Sequence, residues 1–232
     1  MLTALPSTDW LGHGLAEPLF RLACLPSVGL HPSRLAGMAP PAARQMLEGL
    51  TPGTPAWGRL HRHWSAALVQ SQRLAPLADV YEPALALALL PDAGWHTLQQ
   101  LGGVVLAGPR IRRTIARAQV QALQAALGAP ALAFAHGAAT GLHPGWDASL
   151  TWGLDDIVPA CARWGAALQA RAMDAASPAV AARGRLRLPE AALTEAAGPL
   201  FSALGAAAAL QLALSLLQHT DPAWLSLFPA TH

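Results

Sequence analysis

The side chains able to do chemistry are few and badly spaced for it. The chain of 232 residues holds 9 His, 2 Cys and 13 Asp plus Glu. His61 and His63 are two residues apart. On a helix that spacing points them to nearly opposite sides, so they do not share a metal as residues four apart can. Cys24 and Cys161 have no CxxC partner and no histidine at ligand spacing, and read as two reduced core thiols of an intracellular protein. No serine stands in a G-x-S-x-G turn, and no Gly-rich loop precedes a lysine, because the chain has no lysine. Asp155 and Asp156 are the one adjacent carboxylate pair; standing just before Pro159, they suit a helix start better than a cation. The expectation is therefore no catalytic residue, no cofactor, no metal, and no enzyme.

One constellation stands apart. Between Asp92 and Asp147 there is no acid, yet Arg110, Arg112, Arg113 and Arg117 all fall there. At ~100° per residue, Ile111, Ile115 and Ala118 share one side of a helix and the four arginines take the remaining arc. Two readings are open. The arginines form a solvated face or pair with acids elsewhere in the fold, or they form a docking surface for an acidic partner, since a guanidinium pairs bidentately with carboxylates. Arg112 and Arg113 also admit a structural role, tying helices together.

The elements that must position these groups are helical. Hydrophobic residues make up 53% of the chain and charged ones only 12%, which excludes a disordered protein. The net charge of +2 is too small to imply nucleic-acid binding. All basic residues being Arg, in an Ala- and Leu-rich chain, points to a GC-rich genome. Twenty prolines cut the chain into short helices, with Pro18, Pro41 and Pro109 each placed where a first helical turn tolerates them. Trp57, Leu60, Trp64 and Leu68 recur at helical steps over 55–74 and predict a core face. Gly102-Gly103 inside an apolar helical pattern predicts close helix packing, and Gly128 a helix end. Asp92 and Asp221 read as helix caps, and 137–147 as a Gly-rich loop. Arg185, Leu186, Arg187 and Leu188 alternate polar and apolar, the one pattern that fits a short strand. The class is thus all-α: an irregular multi-helix domain with a possible short β element near 185–188. It is read as a single domain over 1–232, with Pro-rich short helices over 1–54 and the main helical body over 55–232.

A rival class needs separate mention. Residues 196–218 contain no charge and many leucines, and ~20 apolar residues can cross a bilayer. Pro199 and Gln211 interrupt the run and no arginine cluster flanks it, so a packed helix is the better reading. A membrane-inserted helical protein anchored by 196–218 is the alternative; a small-molecule enzyme whose site forms only in three dimensions is a third. Residues 1–11 show no secretory signal.

Leu101-Gly102-Gly103-Val104-Val105-Leu106-Ala107-Gly108, then Ile111-Arg112-Arg113, then the apolar stretch 120–127, resemble the SctK/YscK family of type III secretion sorting-platform proteins. Phe20-Arg21-Leu22, Cys24, Pro26 and Leu30-His31 are similar to its opening pattern. Trp146 follows the Gly-rich loop, and Arg185-Leu186-Arg187-Leu188-Pro189 precedes an apolar helix, in the family's order. The resemblance implies a non-enzymatic adaptor, cytoplasmic and peripheral at the cytoplasmic face of a Gram-negative inner membrane. Its implied partners are the forkhead-associated-like cytoplasmic domain of SctD and SctQ, and indirectly SctL and the ATPase SctN, with no nucleic acid and no small-molecule substrate.

Overall fold

The computed structural model describes residues 14–77 and 82–228; the absence of a secretory signal concerns residues outside them. Among the described residues there are sixteen α-helices and no strand. The early helices are α1 (Ala16–Cys24), α2 (Leu35–Met38), α3 (Pro41–Gly49), α4 (Pro55–Ser71) and α5 (Ala84–Ala88). Next come α6 (Asp92–Leu106), α7 (Gly108–Arg112), α8 (Arg117–Leu127), α9 (Ala129–His136), α10 (Ala139–Leu142) and α11 (Leu154–Met173). The chain ends with α12 (Pro178–Leu186), α13 (Glu190–Ala196), α14 (Pro199–Leu204), α15 (Ala206–Thr220) and α16 (Pro222–Leu225). Prolines set many of the starts. Pro41, Pro55, Pro109, Pro130, Pro178 and Pro199 each occupy a first or second helical position, where the missing N–H has no intrahelical partner to lose.

The described residues group into two compact units, one of residues 14–77, 82–90, 173–190 and 226–228, the other of 91–172 and 191–225. In the first, α4 presents Trp64 and Leu68, each 2% exposed, to a core with Leu30, Ala39, Leu74 and Leu186. Thr54 caps α4 by accepting from the Trp57 N–H at 3.3 Å. The other end closes with Arg73 at φ +50°. Its N–H donates to Gln70 O at 3.2 Å, and the Leu74 N–H to Val69 O at 3.0 Å. This is the paired-bond ending usually built on glycine; a side chain there costs roughly 1–2 kcal/mol.

Short helices leave many carbonyls without ladder partners, and arginines of this unit supply them. Arg183, 4% exposed, donates from Nη1 to Ala75 O (2.6 Å) and Ala179 O (3.0 Å). Arg187 reaches Ala88 O at 2.9 Å, and Arg34 reaches Leu188 O at 2.6 Å. Burial pulls the Arg183 and Arg34 guanidinium pKa values below their usual level. The Glu82 carboxylate accepts from the Ser177 N–H (2.7 Å) and Oγ (2.8 Å), fastening the start of α12.

The second unit is held differently. α6 crosses α11 so closely that a Cβ on Gly103 would land on the Cys161 carbonyl, and one on Gly165 on the Gln99 carbonyl. A Cβ on Gly102 would stand 2.9 Å from the Leu168 side chain. The paired glycines thus do what their place in an apolar pattern predicts. Beside this crossing, Trp164 meets Trp152 (4.3 Å between ring centroids) and Trp146 (4.9 Å), and Trp146 meets Phe201 (4.7 Å), all edge to face. The Trp164 indole donates to Glu195 Oε1 at 3.2 Å.

Four expectations need correction. Arg185 and Leu186 close α12, while Arg187 and Leu188 form the turn after it, so no strand forms near 185–188. The alternation has another cause: Leu186 and Leu188 point into the core while Arg185 pairs with Asp174 and Arg187 bonds to Ala88. Cys24 is exposed; only Cys161 is a core thiol, and burial pushes its pKa up to about 12. Asp92 is the first helical residue of α6, with Pro91 at the cap position. The 196–218 segment is split, because Gly205 at φ +76° ends α14 and starts α15. Among the described residues no helix is long and apolar enough to cross a membrane, which removes the anchor reading of this segment. Leu210, Leu212, Leu216, Leu217 and Phe201 are instead buried. Asp221 does cap the last helix, accepting from the Trp224 N–H at 3.0 Å.

Candidate docking surface

The arginine segment lies in the second unit and is not one helix. α7 ends at Arg112 and α8 begins at Arg117, with Arg113 to Ala116 between them. The apolar stripe breaks with it: Ile111 is 1% exposed, Ile115 88% exposed, and Ala118 exposed. Thr114 causes the break by turning inward. It is 4% exposed, and its Oγ1 donates to Arg110 O at 3.2 Å while accepting from Arg110 Nη1 at 2.9 Å.

The four arginines then divide. Arg110 also donates from Nε to Trp152 O at 2.8 Å. Arg112 donates to Pro144 O at 2.9 Å and Ala135 O at 3.4 Å, lying across Gly108, where a Cβ would strike its guanidinium. These two fasten α7 to α9, to the 143–146 loop and to the turn at 152. The Gly-rich loop is itself held by the Gly145 N–H donating to His143 Nδ1 at 2.9 Å and the Trp146 N–H donating to Leu106 O at 2.8 Å. Burial lowers the His143 pKa below its ordinary value, consistent with a neutral ring that accepts a hydrogen bond.

Arg113 and Arg117 are exposed and have no hydrogen-bond or ion-pair partner among the described residues. Ile115 stands between them. Ala116 offers α8 no side-chain cap, and there is no acid in its first turn. The open N–H groups there add partial positive charge to that of Arg117. Leu123 and Leu127 are the buried anchors of α8, and most of its other residues are exposed. The result is an isoleucine tip in a positive field, leading into a neutral, open helix. Such a shape can seat in an apolar pocket with an acidic rim.

Polar groups that spacing could not connect are brought together elsewhere. In the first unit, Ser27 Oγ lies 2.8 Å from His61 Nδ1 and 2.7 Å from Ser65 Oγ. A Ser–His pair suggests nucleophilic catalysis, but all three residues are at most 5% exposed. His61 is sandwiched by Trp57 and Trp64, with ring centroids at 4.2 and 5.5 Å. Burial lowers its pKa. The network is a packed core connection. Ser27 and His61 are 34 residues apart, so no local pattern signals the pairing. His63 points outward, as the two-residue spacing requires.

The fold defines an all-α protein built from short helices, with an exposed basic tip between α7 and α8. The family described as YOP proteins translocation protein K (YscK) matches residues 20–228, and the chain belongs to that family. It is thus a component of a type III secretion system, acting in protein transport and virulence. The family is not one of the known enzyme families. No curated protein and no solved structure matches the chain.

Proposed function

We propose that the protein is a non-enzymatic adaptor of the injectisome sorting platform, working at the cytoplasmic face of the inner membrane. It links the forkhead-associated-like cytoplasmic domain of SctD to SctQ, and through SctQ to SctL and the ATPase SctN. Family membership supports the secretion role, and the exposed Ile115 between unpaired Arg113 and Arg117 is the observation that supports docking. In this reading the four arginines share the work unequally. Arg113 and Arg117 meet acidic groups of the partner, while Arg110 and Arg112 position the tip.

The test is recovery of SctD and SctQ from cells that carry the apparatus, using the tagged protein. Arg113→Glu with Arg117→Glu should leave the thermal melt unchanged and reduce recovery of one partner at least tenfold. Binding by the unaltered protein should weaken from low to high salt, because exposed charges are screened beyond ~8–10 Å at physiological ionic strength. Full recovery of both partners across the salt series defeats the docking role of this tip. Arg110→Glu or Arg112→Glu should lower the melting temperature, since each leaves backbone carbonyls without their donor.

A further inference from the structure

The basic tip has an acidic neighbour on its own unit. The Arg110 guanidinium donates to Trp152 O from Nε at 2.8 Å and to Thr114 Oγ1 from Nη1 at 2.9 Å. One side chain thus ties the residue before Ile115 to the residue before Gly153, and sets the tip beside the start of α11. That start carries Asp155 and Asp156 in its first turn, both exposed. Asp156 accepts from the Gly153 N–H at 3.1 Å. Asp155 has no hydrogen-bond or ion-pair partner among the described residues, and no ion pair there joins Arg113 or Arg117 to either carboxylate. Two exposed cations therefore stand near two exposed anions, unmatched within the chain.

The apolar groups follow the same division. On the basic side, Ile115 is the most exposed large apolar side chain among the described residues. On the acidic side, Trp152 and Leu154 are half-buried and immediately precede the two acids. Trp152 is held edge to face on Trp164, 4.3 Å between ring centroids, so an incoming side chain meets a fixed ring. A positive half with a protruding isoleucine, beside a negative half with a partly open indole, is its own complement. Turned about a twofold axis, each half of one copy covers the opposite half of the other, and every contact is made twice.

We propose that this face pairs with a second copy of the chain, Ile115 of each copy lying against Trp152 and Leu154 of the other, and Arg113 and Arg117 facing Asp155 and Asp156. Charge complementarity selects the occupant, because a pairing of tip on tip would set like charges against each other. Exposed ion pairs contribute little each, so the pair is weak and salt-sensitive. It uses the tip that the adaptor reading gives to a platform partner, so the two occupants exclude each other and pairing covers Ile115 before assembly.

The experiment is sedimentation velocity on the purified full chain, over a concentration series at low and high salt. The expected result is a shift from monomer toward dimer with concentration, weakened at least fivefold by high salt. Ile115→Ser should weaken pairing to the same extent and leave the melting temperature of dilute protein unchanged. Arg113→Glu with Arg117→Glu should abolish pairing, and Asp155→Arg should weaken it; Asp156 stays, because it holds the Gly153 N–H. Mixing these two variants should give pairs at least fivefold tighter than either forms alone. In the mixed pair one native tip meets a native acidic half, and the reversed tip meets a half that is no longer negative. A chain that stays monomeric throughout overturns the proposal, as does association that runs past the dimer. So does pairing indifferent to salt and to Ile115→Ser, or a mixture no tighter than its components. The readout uses the chain alone, so failure here leaves recovery of SctD and SctQ as a separate result, and loss of that recovery leaves the pairing measurement intact.

Discussion

The two units face the same difficulty, short helices in quantity, and meet it with a different balance of means. The first joins helices through long polar side chains: Arg34, Arg183 and Arg187 each end on a backbone carbonyl, and Ser27, His61 and Ser65 close a buried network. The second brings backbones into contact, with glycines at the α6–α11 crossing and an aromatic cluster beside it. Its helices α6, α11 and α15 run 15 to 20 residues, so most of their carbonyls are satisfied internally, and polar bridges go to the short flanking elements, as from Arg110 to Trp152 O, Arg112 to Pro144 O and Arg171 to Phe201 O. Where helices are four to nine residues long, as in α1 to α3, end carbonyls are a large share of the backbone and arginine is long enough to reach them.

Glycine substitutions should break this comparison most sharply. Gly103→Ala puts a methyl group on the Cys161 carbonyl, where only backbone movement relieves the clash. A loss of more than about 4 kcal/mol and little folded protein is expected. Gly58→Ala on α4 meets nothing within 4 Å and should stabilise by roughly 0.5–1 kcal/mol. Urea midpoints moving the same way in both variants would remove the contrast. Next in size are Trp64→Ala and Trp164→Ala, at 2% and 3% exposure. Each should cost on the order of 3–5 kcal/mol, and an unchanged midpoint for either would show that its cluster is not a core.

Arg183→Met probes the polar solution. It leaves the Ala75 carbonyl without its donor, so a cost of about 1–3 kcal/mol is expected in chemical denaturation. A neutral outcome would mean that packing alone holds this unit. The smallest effect is pH dependence. His61 and His143, one in each unit, have folded pKa values lowered by burial. The unfolded chain therefore binds protons first, and stability is complete above about pH 6.5. It declines as pH falls from there toward the folded values, by at most ~1.4 kcal/mol per pH unit per histidine. His61→Gln should flatten that slope in melts between pH 7 and 5, and an unaltered slope would assign the effect to His143 or to the carboxylates.

Local pattern was enough to read much of the architecture. The prolines mark helix starts because a fixed φ and a missing N–H suit only those positions. The Trp64–Leu68 face and the Gly102-Gly103 contact follow from helical periodicity and the size of a hydrogen atom in place of a methyl group. The Arg-Leu-Arg-Leu run shows the limit of such reading: a period of two appears at a helix end as readily as in a strand when side chains go to partners far away in the chain.

The sequence alone was enough for the helical class, several of the helix starts, and the resemblance to a secretion family. The fate of chemically identical side chains is set by tertiary packing. Arg110, Arg112, Arg113 and Arg117 are alike in type and neighbourhood, yet two are consumed by carbonyls 23 to 42 residues away and two are left to solvent. The physical reason is that a guanidinium's partner is fixed by where distant backbone lies, and no local period encodes that distance.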